Sequence, residues 1–185
     1  VDGDFEPYTS MFFGGIAPGA YGWIIPKDGR ANVGVGFSPR FANGNLHDYF
    51  DRFAEKHGFQ VHSKLCGKFV PSEGPISSTV SGNGMVVGDA AGQVISVNGG
   101  GIPLAMIAGR ICGRTAAENI SSGAPLASYD SEWRAVMDNP LRTAAFNKKM
   151  ADAFAFRSDS STAMCMAILG KRRMANLIRC KRIFP

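Results

Sequence analysis

The chain has 185 residues, 45% of them hydrophobic and 19% charged, with four cysteines and a formal charge of +5. That length and apolar content support a hydrophobic core and exclude both a disordered polypeptide and a disulfide-stapled miniprotein. Residues 1–139 carry a net charge of −3 and residues 140–185 a net +8, so any argument for nucleic acid or anionic membrane is confined to a basic tail.

Nineteen of the 23 glycines fall at or before Gly101, which predicts a turn-rich first part and a helix-rich second. Phe12 to Ile16, Tyr21 to Pro26 and Ala31 to Phe37 are short apolar runs separated by Pro18-Gly19 and Asp28-Gly29, the pattern of an antiparallel three-stranded meander. Leu46 to Lys56 places Leu46, Tyr49, Phe50 and Phe53 on one helical face, with Asn45 as N-cap and Gly58 as stop. Gln60 to Val70 reads as a further strand, and Met85 to Val87 as a short buried one ending at Gly88-Asp89. A helix from Ile102 to Asn119 follows a triple glycine. Three more helical patterns follow Gly123: Leu126 to Met137, Pro140 to Phe156 with Asn139 as cap, and Thr162 to Arg182 with a break at Gly170.

Cys66, Cys112, Cys165 and Cys180 form no CxxC pair, which argues against a disulfide framework or zinc module and fits a reducing compartment. His47, His57 and His62 with Cys66 do not reproduce a paired-ligand spacing, so no metal site is expected. The longest uncharged run, Ala90 to Gly109, is broken by Asn98 and three glycines and does not read as a spanning helix. No secretory signal, Ser-His-Asp arrangement, GxSxG elbow or Walker A loop occurs. In the tail, Met174, Leu177 and Ile178 share a helical face among basic residues from Lys171 to Arg182. This suits a solvated helix or a partner contact first, and an anionic lipid surface second. Phe184 is its one aromatic, which disfavours nucleic acid.

The stretch MVVGDAAGQVISVNGGGIPLAMIAG carries the chemistry. A short strand delivers Asp89 to a loop at its carboxyl end, where a carboxylate can accept hydrogen bonds from two hydroxyls of a polyol, and Gly88 lets backbone approach the ligand. Gly99, Gly100 and Gly101 are expected to present backbone N–H groups at a helix N-terminus, which favours negative charge. Gly101, Ala105, Gly109, Gly113 and Ala117 form a small-residue stripe that predicts close helix-to-sheet packing.

VVGDAAGQVISVNGGGI resembles the second FAD fingerprint of flavoproteins of the hydroxybenzoate hydroxylase class. That resemblance implies that Asp89 binds the ribityl hydroxyls of FAD, that Ala90 and Ala91 lie along the pyrophosphate side, and that Gly99, Gly100, Gly101 and Ile102 face the pyrimidine end of the isoalloxazine. Tyr21-Gly-Trp23-Ile-Ile-Pro26 followed by Gly34-Val-Gly36 resembles the YxWxFP and GxG pattern of the geranylgeranyl reductase family, with Ile25 in place of the family's aromatic. By that resemblance Tyr21, Trp23, Pro26, Gly34 and Gly36 line a prenyl-substrate tunnel. In a strand Tyr21 and Trp23 share one face, an aromatic wall for an apolar chain, while the two glycines on the neighbouring strand clear space for it.

The fold class expected is an α+β fragment of a FAD-binding α/β flavoprotein. It comprises part of an antiparallel-sheet substrate domain over residues 1–80, the second half of a FAD-binding domain over 81–123, and a helical region with a basic tail over 124–185. A GxGxxG turn is missing, so the chain reads as the carboxyl half of a flavoenzyme, incomplete as it stands. The resemblance implies a reductase that saturates the double bonds of geranylgeranyl chains of archaeal-type membrane lipids. It would use FAD, a prenyl lipid substrate and a reduced nicotinamide or ferredoxin-type electron donor, in the cytoplasm or peripherally on the inner face of the membrane. A related FAD-dependent monooxygenase or halogenase remains open, as does a non-enzymatic module that docks on lipid or RNA. No residue is assigned as the proton donor.

Overall fold

The computed structural model describes residues 1–2, 5–61 and 64–181. They divide into two compact units, one of residues 1–67 and 150–168, the other of residues 68–149 and the stretch from Leu169 onward.

In the first unit, β1 (Ser10–Phe12), β2 (Gly22–Lys27) and β3 (Arg30–Val35) form an antiparallel meander with β2 in the centre. Trp23 pairs with Gly34 and Met11 with Trp23. β1 begins and ends earlier than the expected Phe12 to Ile16, because the chain turns at once: Ala17 N donates to Gly14 O and Ala20 N to Ala17 O. Helix α1 (Leu46–His57) starts in a capping box, Asn45 with Asp48, and ends at the left-handed Gly58. Its Tyr49, Phe50, Phe53 and Ala54 are buried with Ala17 and Val35, joined by Phe12, Ile24 and Phe59. A Cβ on Gly22 would stand 2.8 Å from the Phe53 ring, so the sheet face of Gly22 and Ile24 is the one α1 covers. Full burial of Phe53 contributes about 2–3 kcal/mol.

The strand expected over Gln60 to Val70 is not formed by the described residues there. Lys64, Gly67 and Lys68 interrupt its apolar alternation, and Phe69, 95% exposed, finds nothing to bury against.

In the second unit, β4 (Val80–Ser81) and β5 (Gly84–Met85) make a two-residue ribbon, so the strand expected at Met85 to Val87 reaches only Met85. A single 3-10 turn, Gly88–Ala91, then leads toward α2 (Ile102–Ser122), which stops at the left-handed Gly123. α3 (Ser128–Phe154) and α4 (Asp159–Ile178) each run from one unit into the other. The core here packs Ala108 and Ile111 of α2 against Tyr129, Trp133, Met137 and Leu141 of α3.

Two helices were expected where α3 is one: it runs through Pro140. Proline removes one N–H and frees the carbonyl four residues back, here that of Val136; both residues are exposed, so water can satisfy that carbonyl and the helix continues. The break expected at Gly170 is present, with φ 64° and ψ 173°.

Candidate functional site

The sheet of the first unit has a second face, away from α1, and the aromatic residues gather on it. Tyr21 lies 6.0 Å from Phe13 and 5.9 Å from Trp23, centroid to centroid. A Cβ on Gly34 would fall inside the Trp23 indole, so the room that this glycine leaves is taken by the indole itself and not left open. Trp23 Nε1 donates to Asn32 Oδ1 at 2.8 Å, which fixes the ring over β3. Burial pushes the Tyr21 phenol above its ordinary pKa, so it stays a neutral hydroxyl. Pro26 lies on the opposite face with Gly22 and Ile24, by the alternation of the strand. Gly36 follows β3 and donates its N–H to Tyr21 O at 3.0 Å. A cavity of about 420 Å³ in the same unit is lined by Met11, Phe13, Ile16, Phe53, His57 and Met166.

The second unit holds the glycine-rich segment. Gly88 has φ +70°, a conformation that favours glycine, and turns the chain from extended Val87 into the 3-10 turn. Gly92 N donates to Asp89 O and Gln93 N to Gly88 O, closing that turn. It packs directly on the start of α2: a Cβ on Gly88 would stand 3.3 Å from Ala105 Cβ, and a Cβ on Gly101 would stand 2.9 Å from Asp89 Oδ1. The Asp89 carboxylate is exposed and faces the positive end of the α2 dipole. Ala90 beside it is exposed and Ala91 is buried.

The free N–H groups expected at all three glycines are not all free. Gly99 N donates to Ile95 O at 2.8 Å, and Gly100 N to Asn98 Oδ1 at 2.9 Å, because the loop closes on itself before the helix starts. The first helical bond is Ala105 N to Gly101 O, and Pro103 has no N–H, so Gly101, Ile102 and Leu104 supply the donors at this helix end. The small-residue stripe is also used only in part. Gly101 and Ala105 meet the Asp89 turn, whereas a Cβ on Gly109 or Gly113 would meet nothing within 4 Å. Ala108, Ile111 and Thr115, on another side of the helix, form its buried face.

Two residues not singled out from the sequence hold this segment. Gln93 is fully buried; its Oε1 accepts from Gly88 N at 2.7 Å and its Nε2 donates to Tyr129 Oη at 3.2 Å. Tyr129 Oη donates to Val86 O at 2.9 Å, and burial raises the pKa of its phenol. A polar residue between buried Ala91 and Val94 was the one signal available for Gln93.

An exposed carboxylate against a helix N-terminus, with a glycine where any side chain would strike that carboxylate, fits the ribityl end of a flavin. Among the described residues, no group of three His, Cys, Asp or Glu is placed to hold a metal, and no helix is long and apolar enough to cross a membrane. His62 of the imagined cluster, and Arg182 and Phe184 of the tail, lie outside the described residues. Lys171, Arg172, Arg173, Arg179 and Lys181 of the tail are exposed.

The family model for the geranylgeranyl reductase catalytic domain matches residues 1–69. Digeranylgeranylglycerophospholipid reductase 2 of Methanothermobacter thermautotrophicus is 40% identical over 158 residues, which cover 80% of this chain and 40% of that protein. The digeranylgeranylglycerophospholipid reductase of Methanococcus aeolicus is 35% identical over 168 residues, 84% of this chain and 42% of its own length. A geranylgeranyl bacteriochlorophyll reductase-like protein from Thermoplasma acidophilum, known from its crystal structure, aligns with a TM-score of 0.70 at 27% identity, over 82% of this chain and 40% of that one. The chain thus spans about 40% of the length of the relatives it matches.

Proposed function

We propose, from the premise that this chain belongs to the geranylgeranyl reductase family, that it provides the substrate wall and the second flavin-binding segment of an FAD-dependent reductase acting on the isoprenoid chains of archaeal-type membrane lipids. One observation carries the reading: the GDAA turn is seated on the glycine-capped start of α2 with Asp89 turned outward beside it. In this reading Asp89 accepts hydrogen bonds from ribityl hydroxyls, and the N–H groups of Gly101, Ile102 and Leu104 face the pyrimidine edge of the ring. Exposed Ala90 lets the cofactor lie close to backbone, buried Gly88 and Ala91 shape the turn beneath it in place of the contacts expected of them, and Gly99 and Gly100 shape the loop that sets the helix start.

When bound and reduced by its electron donor, FAD would supply the hydride that, with a proton, saturates an alkene. The protein's part is to hold and shield. Phe13, Tyr21 and Trp23 offer an apolar, water-excluding surface to a prenyl chain. Gly34 and Asn32 keep the indole flat against β3, and Pro26 and Gly36 fix the ends of the strands that carry it. The donors at the start of α2 stabilise negative charge on the flavin ring without any lysine or arginine. Exposed Lys171, Arg172 and Arg179 keep the protein at an anionic lipid surface on the cytoplasmic side, where such a substrate resides, with electrons supplied by a reduced nicotinamide or ferredoxin-type donor.

The test is product analysis. Anaerobic incubation of the flavin-loaded natural protein with a geranylgeranyl lipid and a chemical reductant should give products that gain two hydrogens per double bond. Products that appear only with oxygen, and carry it, would replace this reading with that of a monooxygenase.

A further inference from the structure

Gly88 offers both of its backbone groups to one residue five positions on: its C=O accepts from Gln93 N at 3.0 Å and its N–H donates to Gln93 Oε1 at 2.7 Å. The turn that carries Asp89 is therefore closed twice by the same residue. The remaining end of that amide donates to Tyr129 Oη, which in turn donates to Val86 O at 2.9 Å. Val86 lies two residues before the Gly88–Ala91 turn and Gln93 two residues after it, and Tyr129, fully buried on α3, joins the two. The Gln93 amide and the residue Tyr129 are fully buried, where an unmade hydrogen bond is costly. The side chain of Gln93 reaches no solvent and the Asp89 side chain reaches no protein donor that the relay uses, so Gln93 can act on a ligand only through the shape of the turn.

We infer that Gln93 and Tyr129 are positioning residues for the flavin, fixing the Gly88–Asp89 turn at the one geometry in which the Asp89 carboxylate lies beside the N-terminus of α2. The inference rests on the proposed flavin site and adds to it the residues that hold its shape. Only a side chain of this length with an acceptor and a donor at its tip serves both neighbours. The geometry also explains a fully buried amide in a segment otherwise lined by Ala91 and Val94.

The experiment is an FAD titration of the natural protein and three variants, read by flavin fluorescence and by the visible absorption of the bound cofactor, with thermal melts of the flavin-free forms alongside. Gln93→Met keeps the volume and removes both hydrogen bonds. It should bind FAD about tenfold more weakly or worse and shift the bound-flavin spectrum. Tyr129→Phe, which keeps the packing and the Gly88 bond, should change both readings in the same direction by less. If both variants bind FAD with unchanged affinity and spectrum while melting earlier, the relay is only structural and the inference is overturned. Asp89→Ala separates the two levels. Weakened binding in Asp89→Ala with none in Gln93→Met removes this inference alone, and unchanged binding in both removes the proposed flavin site as well.

Discussion

Asp130 on α3 is the anchor of the segment leading into the Asp89 turn, and its charge can be removed almost isosterically by Asp130→Asn. Its Oδ1 accepts from Thr79 N at 3.0 Å and Thr79 Oγ1 at 2.6 Å, and its Oδ2 from Arg134 Nε at 2.6 Å. Thr79 Oγ1 also accepts from the buried Trp133 Nε1 at 2.8 Å, and Arg134 donates to the carbonyls of Ile76 and Ser77. The hydrogen bond from Arg134, with that from Thr79, brings the Asp130 carboxyl down to about 2 from 3.8 against the opposing effect of burial. A folded pKa below the unfolded one means stability present above pH 3.8 and lost as pH falls toward 2. The difference corresponds to about 2 kcal/mol, and the side chain's 26% exposure places the true figure at or below that. For a chain of this size, Asp130→Asn should lower Tm at pH 7 by roughly 4–8 °C. It should also flatten the acid limb between about pH 4 and 2, since the variant has no proton to gain there. Melts followed by circular dichroism from pH 2 to 7 read both effects. A variant with the native Tm and an equally steep acid limb would refute the anchor.

Three further outcomes follow from the same contacts. Gly34→Ala puts a methyl into the Trp23 indole, so it should cost about 1–3 kcal/mol and change the emission of Trp23, while Trp133, fully buried in the other unit, reports no change. His57 packs among Phe12, Phe53 and Phe59 with its Nε2 unpartnered; burial, then the neighbouring charge of Lys56, lowers its pKa below 6.5. It therefore supports the fold above pH 6.5 and destabilises it as pH falls through its lower folded value, and His57→Phe should remove that part of the acid limb in pH-dependent melts. Asp89→Ala, which removes an exposed charge from the start of α2, should lower the flavin-free Tm by roughly 1–4 °C and weaken FAD binding about tenfold, measured by fluorescence titration.

The sequence made local structure legible and longer-range structure much less so. α1 was readable because its cap, its apolar face and its stop at Gly58 all lie within a few residues of one another. The meander was readable from its turns, and the break in α4 from Gly170. Pro140 misled because whether proline ends a helix depends on which way the carbonyl of Val136 faces, and only tertiary packing decides that. The stretch 60–70 had strand composition, but a strand also requires a partner edge. In the candidate site the identities at 85–105 pointed to one surface, and Asp89 and Gly101 do meet. The loop's own hydrogen bonds at Gly99 and Gly100, and the relay from Gln93 to Tyr129 across 36 residues, could not be read from spacing.

The most direct measurement is a crystal structure of the natural protein grown with FAD. The ribityl hydroxyls should lie within about 3 Å of the Asp89 carboxylate, with the pyrimidine edge of the ring at the backbone N–H groups that open α2. A flavin bound elsewhere, or one seated here with Asp89 turned away into solvent, would contradict it.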